Sequence, residues 1–234
     1  MEDYCKLEDT MRWLAVLAAV TLMSQTPVGG RVTGHLTILE KDNKPTPDLG
    51  GAVIWLEGMG GASGAARPSN FQIGITDKTY APHVLVIPVG ATVTFPNNDP
   101  FNHNVFSVSD SESFDLGLYG RGEAKSHIFA HATLVRVFCN VHPRMVAYVH
   151  VMASRFYTQP AGDGSFTLAG VPPGRYRLHV WHERSPVEVI KEVTVGAGAA
   201  TDVPVSLNAR GYRWEPHKNK YGRNYPTNEG RERY

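Results

Sequence analysis

Cysteine is scarce in this chain: among 234 residues there are two, Cys5 and Cys139. Two cysteines close at most one bridge, which excludes a disulfide framework. Strong charge of either sign is also missing. Twenty-three Lys and Arg face 22 Asp and Glu, a net charge of +1, too mild a basic excess to imply a nucleic-acid partner. No apolar run reaches the ~20 residues that carry a helix across a bilayer. No long segment repeats at 3.6 residues. The runs are short and β-branched, and 23 Gly and 16 Pro punctuate them. That pattern predicts an all-β chain. The Gly/Ala-rich stretch Gly58–Ser69 lacks the Gly-Lys-Ser/Thr ending and the following helix of a phosphate-cradling loop. It reads as a mobile loop.

What is present concentrates in Cys139-Asn140-Val141-His142-Pro143-Arg144-Met145. A thiolate, an imidazole and a thioether share one short loop. Magnesium and calcium want oxygen, whereas soft sulfur with imidazole suits copper. Zinc is the rival ion, but it prefers a closed Cys/His set, and methionine is a poor ligand for it. The missing ligand must come from elsewhere, and His103 in Asn102-His103-Asn104-Val105-Phe106 is the candidate. Two imidazoles, one thiolate and a weak axial methionine make a blue-copper electron-transfer site. The preceding Leu134–Cys139 alternates with period two. Val135, Val137 and Cys139 share one face, and Arg136 marks the solvated one, so Cys139 points inward. Taken singly, each of these residues has an ordinary reading: a buried cysteine as a small hydrophobe, His-Pro as a turn, and methionine as core.

With those residues in view, the chain resembles the cupredoxins, small blue-copper β-sandwich proteins. Its Cys-x-x-His-x-x-Met loop is similar to that of amicyanin, and Asn97-Asn98-Asp99 to His103-Asn104-Val105-Phe106 looks like the segment carrying that family's first histidine. The resemblance covers roughly Val32 to Ser154. It implies a Greek-key sandwich holding one type-1 copper at His103, Cys139, His142 and Met145. It also implies that Asn104 donates its backbone N–H to the cysteine sulfur while its side chain ties two loops together. An ordinary turn residue is the alternative. Pro143 has no N–H and cannot supply such a bond. The whole chain also resembles plastocyanin-like bacterial proteins often labelled methylamine utilization proteins.

Four segments are expected. Residues 1–30 contain a secretory signal: Met11-Arg12, the apolar Trp13–Met23, then small residues through Gly30. The acidic Met1–Thr10 fits no such signal, which puts the start at Met11. A core helix is the alternative reading of the apolar run. Export implies a periplasmic or secreted protein with no stable membrane insertion after the signal is removed. It would leave Cys139 as a lone thiol, which copper would protect in an oxidising compartment. Residues 31–154 form the cupredoxin domain, with a hairpin turn expected at Gly90.

Residues 155–207, with Gly164-Ser165-Phe166 and Val171-Pro172-Pro173-Gly174-Arg175-Tyr176, resemble a small carboxypeptidase-regulatory or transthyretin-like β-sandwich. The strands at Val32 and Ala52 are assignable to either sheet system. Residues 208–234 form a basic, polar tail. It reads as solvated or as a strap across the surface, with a docking arm for an acidic redox partner as the sharper alternative. His127 and His131 lie in an extended stretch and are not expected to converge. His179 and His182 flank Trp181 as a weak adventitious pair.

The function this supports is an exported copper protein carrying single electrons to a redox partner protein of unknown identity. The alternatives are a copper buffer or delivery protein, or a structural β-protein with a vestigial site. Catalysis is not expected, because a type-1 copper leaves no open coordination position.

Overall fold

The structure is a computed structural model that describes residues 28–59, 67 and 69–226. All but the last three residues of the proposed signal segment, Cys5, most of the Gly/Ala-rich stretch and the last eight residues lie outside the described residues. Eighteen strands follow in chain order: β1 (Gly30–Leu39), β2 (Val53–Gly58), β3 (Asn70–Gln72), β4 (Gly74–Thr76), β5 (Thr79–Ala81) and β6 (Val84–Pro88). Then come β7 (Thr92–Pro96), β8 (His103–Ser109), β9 (Glu112–Tyr119), β10 (Ala124–Ile128), β11 (Leu134–Cys139) and β12 (Val146–Met152). The last six are β13 (Tyr157–Thr158), β14 (Ser165–Val171), β15 (Gly174–Trp181), β16 (Val189–Val195), β17 (Ala200–Asp202) and β18 (Val205–Asn208). The fold is all-β, with one 3-10 turn at Lys41–Asn43 and no α-helix among the described residues. No helix in them is long and apolar enough to cross a membrane.

The strands build two sandwiches. In the first, a five-stranded sheet ordered β6-β12-β11-β8-β9 faces a three-stranded sheet ordered β10-β7-β3. Strand β12 runs parallel to β6, and β3 parallel to β7. Crossing connections of a Greek-key kind, not a meander, therefore join the strands. Ile73, Ile75, Tyr80, Ile87, Val93, Phe95, Val105, Phe129, Val135, Val137 and Val149 fill the space between the sheets. Alternation explains the membership: in β11, Val135, Val137 and Cys139 are fully buried while Arg136 is exposed, as the period-two reading requires.

The second sandwich pairs β1 with β14, β17 and β18, and stacks this layer on a sheet ordered β13-β2-β15-β16. The first two strands therefore lie in the sheets built by the C-terminal strands, so the unit read as residues 31–154 loses its beginning. The physical reason is register. Strand β2 matches β15 over six residues, from Gly58 opposite Tyr176 to Val53 opposite Trp181. Its Ile54 and Leu56 join Leu178 and Val180 in a common core. Gly34 permits the crossing of β1, because a Cβ there would meet the Val203 carbonyl at 2.2 Å and the Phe166 ring at 2.5 Å.

Strand β3 pairs with β7, while β4 turns away to pair with β5. Pro204, which lacks an N–H, lies between β17 and β18. One local expectation changes. Gly90, at φ +83°, does form a turn, but β6 and β7 lie in opposite sheets. The turn carries the chain across the sandwich and closes no hairpin.

An aromatic seam joins the two sandwiches. Val53, Val84 and Met152 are buried there, with Trp55, Val86, Tyr148, Tyr157 and Trp181 packed against them. Just before β6, the His83 ring meets the Glu183 carboxylate at 2.9 Å, across from the other sandwich. His150 is 4% exposed, with its ring centroid 4.4 Å from that of Trp181 and 5.9 Å from that of Trp55. Its Nε2 has no hydrogen-bond partner among the described residues. Burial pushes its pKa down to about 3, so the ring is neutral in the fold while the unfolded chain titrates near 6.5.

The seam therefore loosens in acid. Between pH 6.5 and 3 the unfolded state binds the extra proton, so stability falls as pH falls, by at most about 1.4 kcal/mol per pH unit from this group. His150→Phe should flatten that limb in chemical denaturation at pH 7, 5.5 and 4. Equal slopes in both proteins would show that His150 is not the group responsible.

Candidate metal centre

One end of the first sandwich gathers the chain's donor atoms. Strand β8 begins at His103 and β11 ends at Cys139, and the two strands pair with Cys139 opposite Val105. His103 and the cysteine therefore arrive at the same edge of the sheet from opposite directions. Beyond Cys139 the chain turns back, and the Met145 N–H donates to the His142 carbonyl at 3.2 Å. Pro143 suits such a turn, since its ring pre-sets φ and gives up no needed donor.

His103 Nδ1 lies 3.6 Å and His142 Nδ1 3.7 Å from Cys139 Sγ. The three donor atoms all lie within 4.8 Å of one another, and all three residues are buried. This is the one such group found among the described residues. Met145 is 1% exposed and belongs to the same core cluster as Cys139. Three of the four residues singled out from the sequence thus bring their donor atoms to one point, and Met145 is buried in the same core. Phe101 covers the site, with its ring centroid 5.3 Å from that of His103 and 5.6 Å from that of His142.

The protonation states suit a soft cation. Burial lowers the pKa of His103, opposed by its bond to Asp99. Burial, aided by the charges of His103 and Lys78, lowers that of His142 to about 4. Both rings are neutral near pH 7 and each keeps a lone pair. Burial raises the Cys139 thiol, and the amides of Asn104, Val141 and His142 pull it partly back. The Val141 N–H donates to the sulfur at 3.4 Å. A thiol that resists ionisation in an apolar pocket, with amides already aimed at its sulfur, is matched by a metal that takes the place of its proton. The donor set of two imidazole nitrogens and one sulfur fits copper on chemical grounds.

The supporting shell shows what pattern reading missed. Asp99 is 3% exposed, and its Oδ2 accepts from His103 Nε2 at 2.8 Å. That bond leaves Nδ1 as the nitrogen facing Cys139, the carboxylate–histidine arrangement that orients metal ligands. Burial alone would raise the Asp99 carboxyl, but the amides of Lys78 and Asp77 and the His103 ring overcome it and hold it low. Asn97 is fully buried and ties the loop by donating to the Phe101 and Tyr119 carbonyls while accepting from the Asp99 N–H. Asn97-Asn98-Asp99 is visible in the sequence, but its spacing carries no sign that Asp99 folds back on His103.

Asn104 links several segments. Its carbonyl accepts from the Asn140 N–H at 3.2 Å, and its side-chain amide donates to Asp115 at 2.6 Å.

The other histidines separate. His127 and His131, expected not to converge, both meet the buried Glu112 carboxylate, at 3.1 and 3.0 Å. Two backbone amides share that carboxylate, which therefore serves as a structural anchor. His179 pairs with Glu188 and Glu57 and stacks on Trp55, whereas His182 is buried elsewhere. They form no joint site.

The fold and this cluster define an all-β protein with a buried His–Cys–His donor group. Comparisons with known proteins return the following likenesses. Residues 145–203 match the family described as polysaccharide lyase family 4, domain II. No curated protein matches the chain. Among solved structures, the chain is similar to a purple cupredoxin from Nitrosopumilus maritimus, at 30% identity and a TM-score of 0.32, over 35% of this chain and 98% of that one. It is also similar to a copper-containing nitrite reductase from Thermus scotoductus, at 28% identity and a TM-score of 0.35, over 37% of this chain and 23% of that one. An oxidised mutant of amicyanin matches at 26% identity and a TM-score of 0.34, over 35% of this chain and 81% of that one.

The burial makes one forecast that needs no metal. In the metal-free folded chain at pH 8, alkylation of Cys139 should run at least about tenfold slower than in denaturant, read by mass spectrometry. Equal rates would mean the thiol is accessible.

Proposed function

We propose that the chain is an exported, cupredoxin-type copper protein that carries single electrons. The observation that carries this reading is the meeting of His103, Cys139 and His142 at one buried point, with Met145 buried in the same core. Copper bound there supplies a one-electron couple. The Cys139 sulfur and the imidazoles of His103 and His142 would hold it as the strong donors, with the Met145 thioether as a weaker fourth. Four donors from the chain leave no place for a substrate, so the site is a carrier and no enzyme centre. Asp99 and the Asn104–Asp115 bond keep His103 and the ligand loop from shifting, which keeps reorganisation small. Electrons pass to the partner protein at the edge formed by His142, Phe101, Pro100 and Pro143, a small patch of the size used by transient redox complexes. Export through residues 11–30 places the carrier in the periplasm or outside the cell.

A buffer or delivery protein would use the same donors but needs easy ligand exchange. The 7% exposure of His142 and the 0% exposure of His103 and Cys139 favour retention.

Three substitutions test the reading on the copper-loaded protein. Cys139→Ser should abolish the intense visible thiolate-to-copper band while the fold persists by circular dichroism; a variant that stayed coloured would remove Cys139 from the site. Met145→Leu should keep copper and shift the midpoint potential, and loss of all copper would give Met145 a larger role. Asp99→Asn should weaken copper affinity by about 10–100-fold through the His103 ring. An unchanged affinity would detach Asp99 from the centre.

A further inference from the structure

Where the structure describes it, the polar tail lies along the surface of the first sandwich, most of its residues exposed and His217, Asn219, Lys220 and Tyr225 half-buried. After β18 the chain runs back across the first sandwich and lies over the ligand loop. The Tyr225 hydroxyl donates to the Cys139 carbonyl at 2.8 Å. The Lys220 N–H donates to the Asn140 side chain at 3.0 Å. His217 Nε2 lies 3.3 Å from the His142 carbonyl, and the same ring stacks on Phe138 at 4.5 Å and meets Tyr225 edge-on at 5.5 Å. The Lys220 ammonium reaches Asp115 at 2.6 Å, the carboxylate that already holds the Asn104 side chain. Arg144, between the ligand loop's histidine and methionine, lies over the Trp214 ring at 5.3 Å.

These contacts share a target. Tyr225 grips the main chain of Cys139, His217 faces that of His142, and Lys220 holds Asn140 between them. Through Asp115 and Asn104 the same segment reaches the residue next to His103. The β8–β9 register shifts between Asn104 and Phe106, and beyond Cys139 the β8–β11 ladder stops. The ligand loop therefore leaves the sheet with few bonds of its own, and the tail supplies them.

We propose that residues 212–226 are a built-in outer shell of the metal centre: Tyr225, Lys220 and His217 are positioning residues that hold the ligand loop in its binding geometry, and so set how fast copper leaves and at what potential it cycles. This rests on the copper reading above. A loop held from outside cannot open one ligand at a time, which slows release. It also cannot relax between the two copper oxidation states. The hydroxyl and amide donors aimed at the Cys139 and Asn140 end of the loop make this a directed arrangement, unlike a surface strap held by apolar packing alone.

The test compares the full chain with three variants: a truncation after Ala209, a truncation after Pro226 that leaves the strap whole, and Tyr225→Phe, which removes one hydroxyl and keeps the ring. Two readouts are used. The first is amide hydrogen exchange of residues 140–145 in the metal-free protein. The second is copper transfer from the loaded protein to a strong Cu(I) chelator, together with the midpoint potential. Truncation after Ala209 should speed copper release about 10–100-fold and raise loop exchange. Tyr225→Phe should speed release about three- to tenfold with a shifted potential, and truncation after Pro226 should change nothing. Wild-type exchange and release rates in both the Ala209 truncation and Tyr225→Phe would overturn the proposal. Should the wild type take up no copper, the carrier reading fails. The exchange rates alone then decide whether the tail holds the loop: faster exchange in the truncation after Ala209 upholds that, and unchanged exchange ends it.

Discussion

The structure depends on three polar donor atoms being brought out of water to one point inside a β-sandwich. Burying a thiol and two imidazoles is costly unless each finds a partner. Here the partners are arranged in advance: a carboxylate behind His103, backbone amides around the sulfur, and neutral rings with free lone pairs. A cation at the centre would complete the set. The pairing of β8 with β11 makes this possible, since it sets the start of one strand beside the end of the other.

Everything around that point reduces its freedom. Asn97 shapes the loop that delivers Asp99, and Asp99 fixes the His103 ring. Asn104 bonds to the ligand loop on one side and to Asp115 on the other. Asp115 then serves as a junction, joined to Asn104 by one oxygen and to Lys220 of the tail by the other. The ligand residues, their supports and the C-terminal segment thus form one connected network. Rigidity of this kind is what electron transfer asks of a site, because the ligands must serve both oxidation states without moving.

The second sandwich has a different part. It shares a seam of Trp55, Trp181, Tyr148 and His150 with the first and lies away from the ligand loop. Its own core is complete, with β1 and β2 contributing to it. Its one evident tie to the centre is topological: β18 launches the tail that returns to Cys139 and His142. Removing the second sandwich would therefore also remove the strap's anchor.

Much of the site was legible from residues alone. The Cys139–Met145 spacing and the inward face of β11 are short-range properties, set by side-chain chemistry and by the two-residue repeat of a strand. All-β character followed from short β-branched runs and turn residues for the same reason. What the tertiary structure decided were the long-range choices: that β1 and β2 join the C-terminal strands, that Gly90 crosses between sheets, that Asp99 turns onto His103, and that His217, Lys220 and Tyr225 return to the ligand loop. Residues far apart in sequence are brought together by register and core packing, and neither leaves a mark in local spacing. A polar tail reads the same whether it hangs in water or is held by three hydrogen bonds.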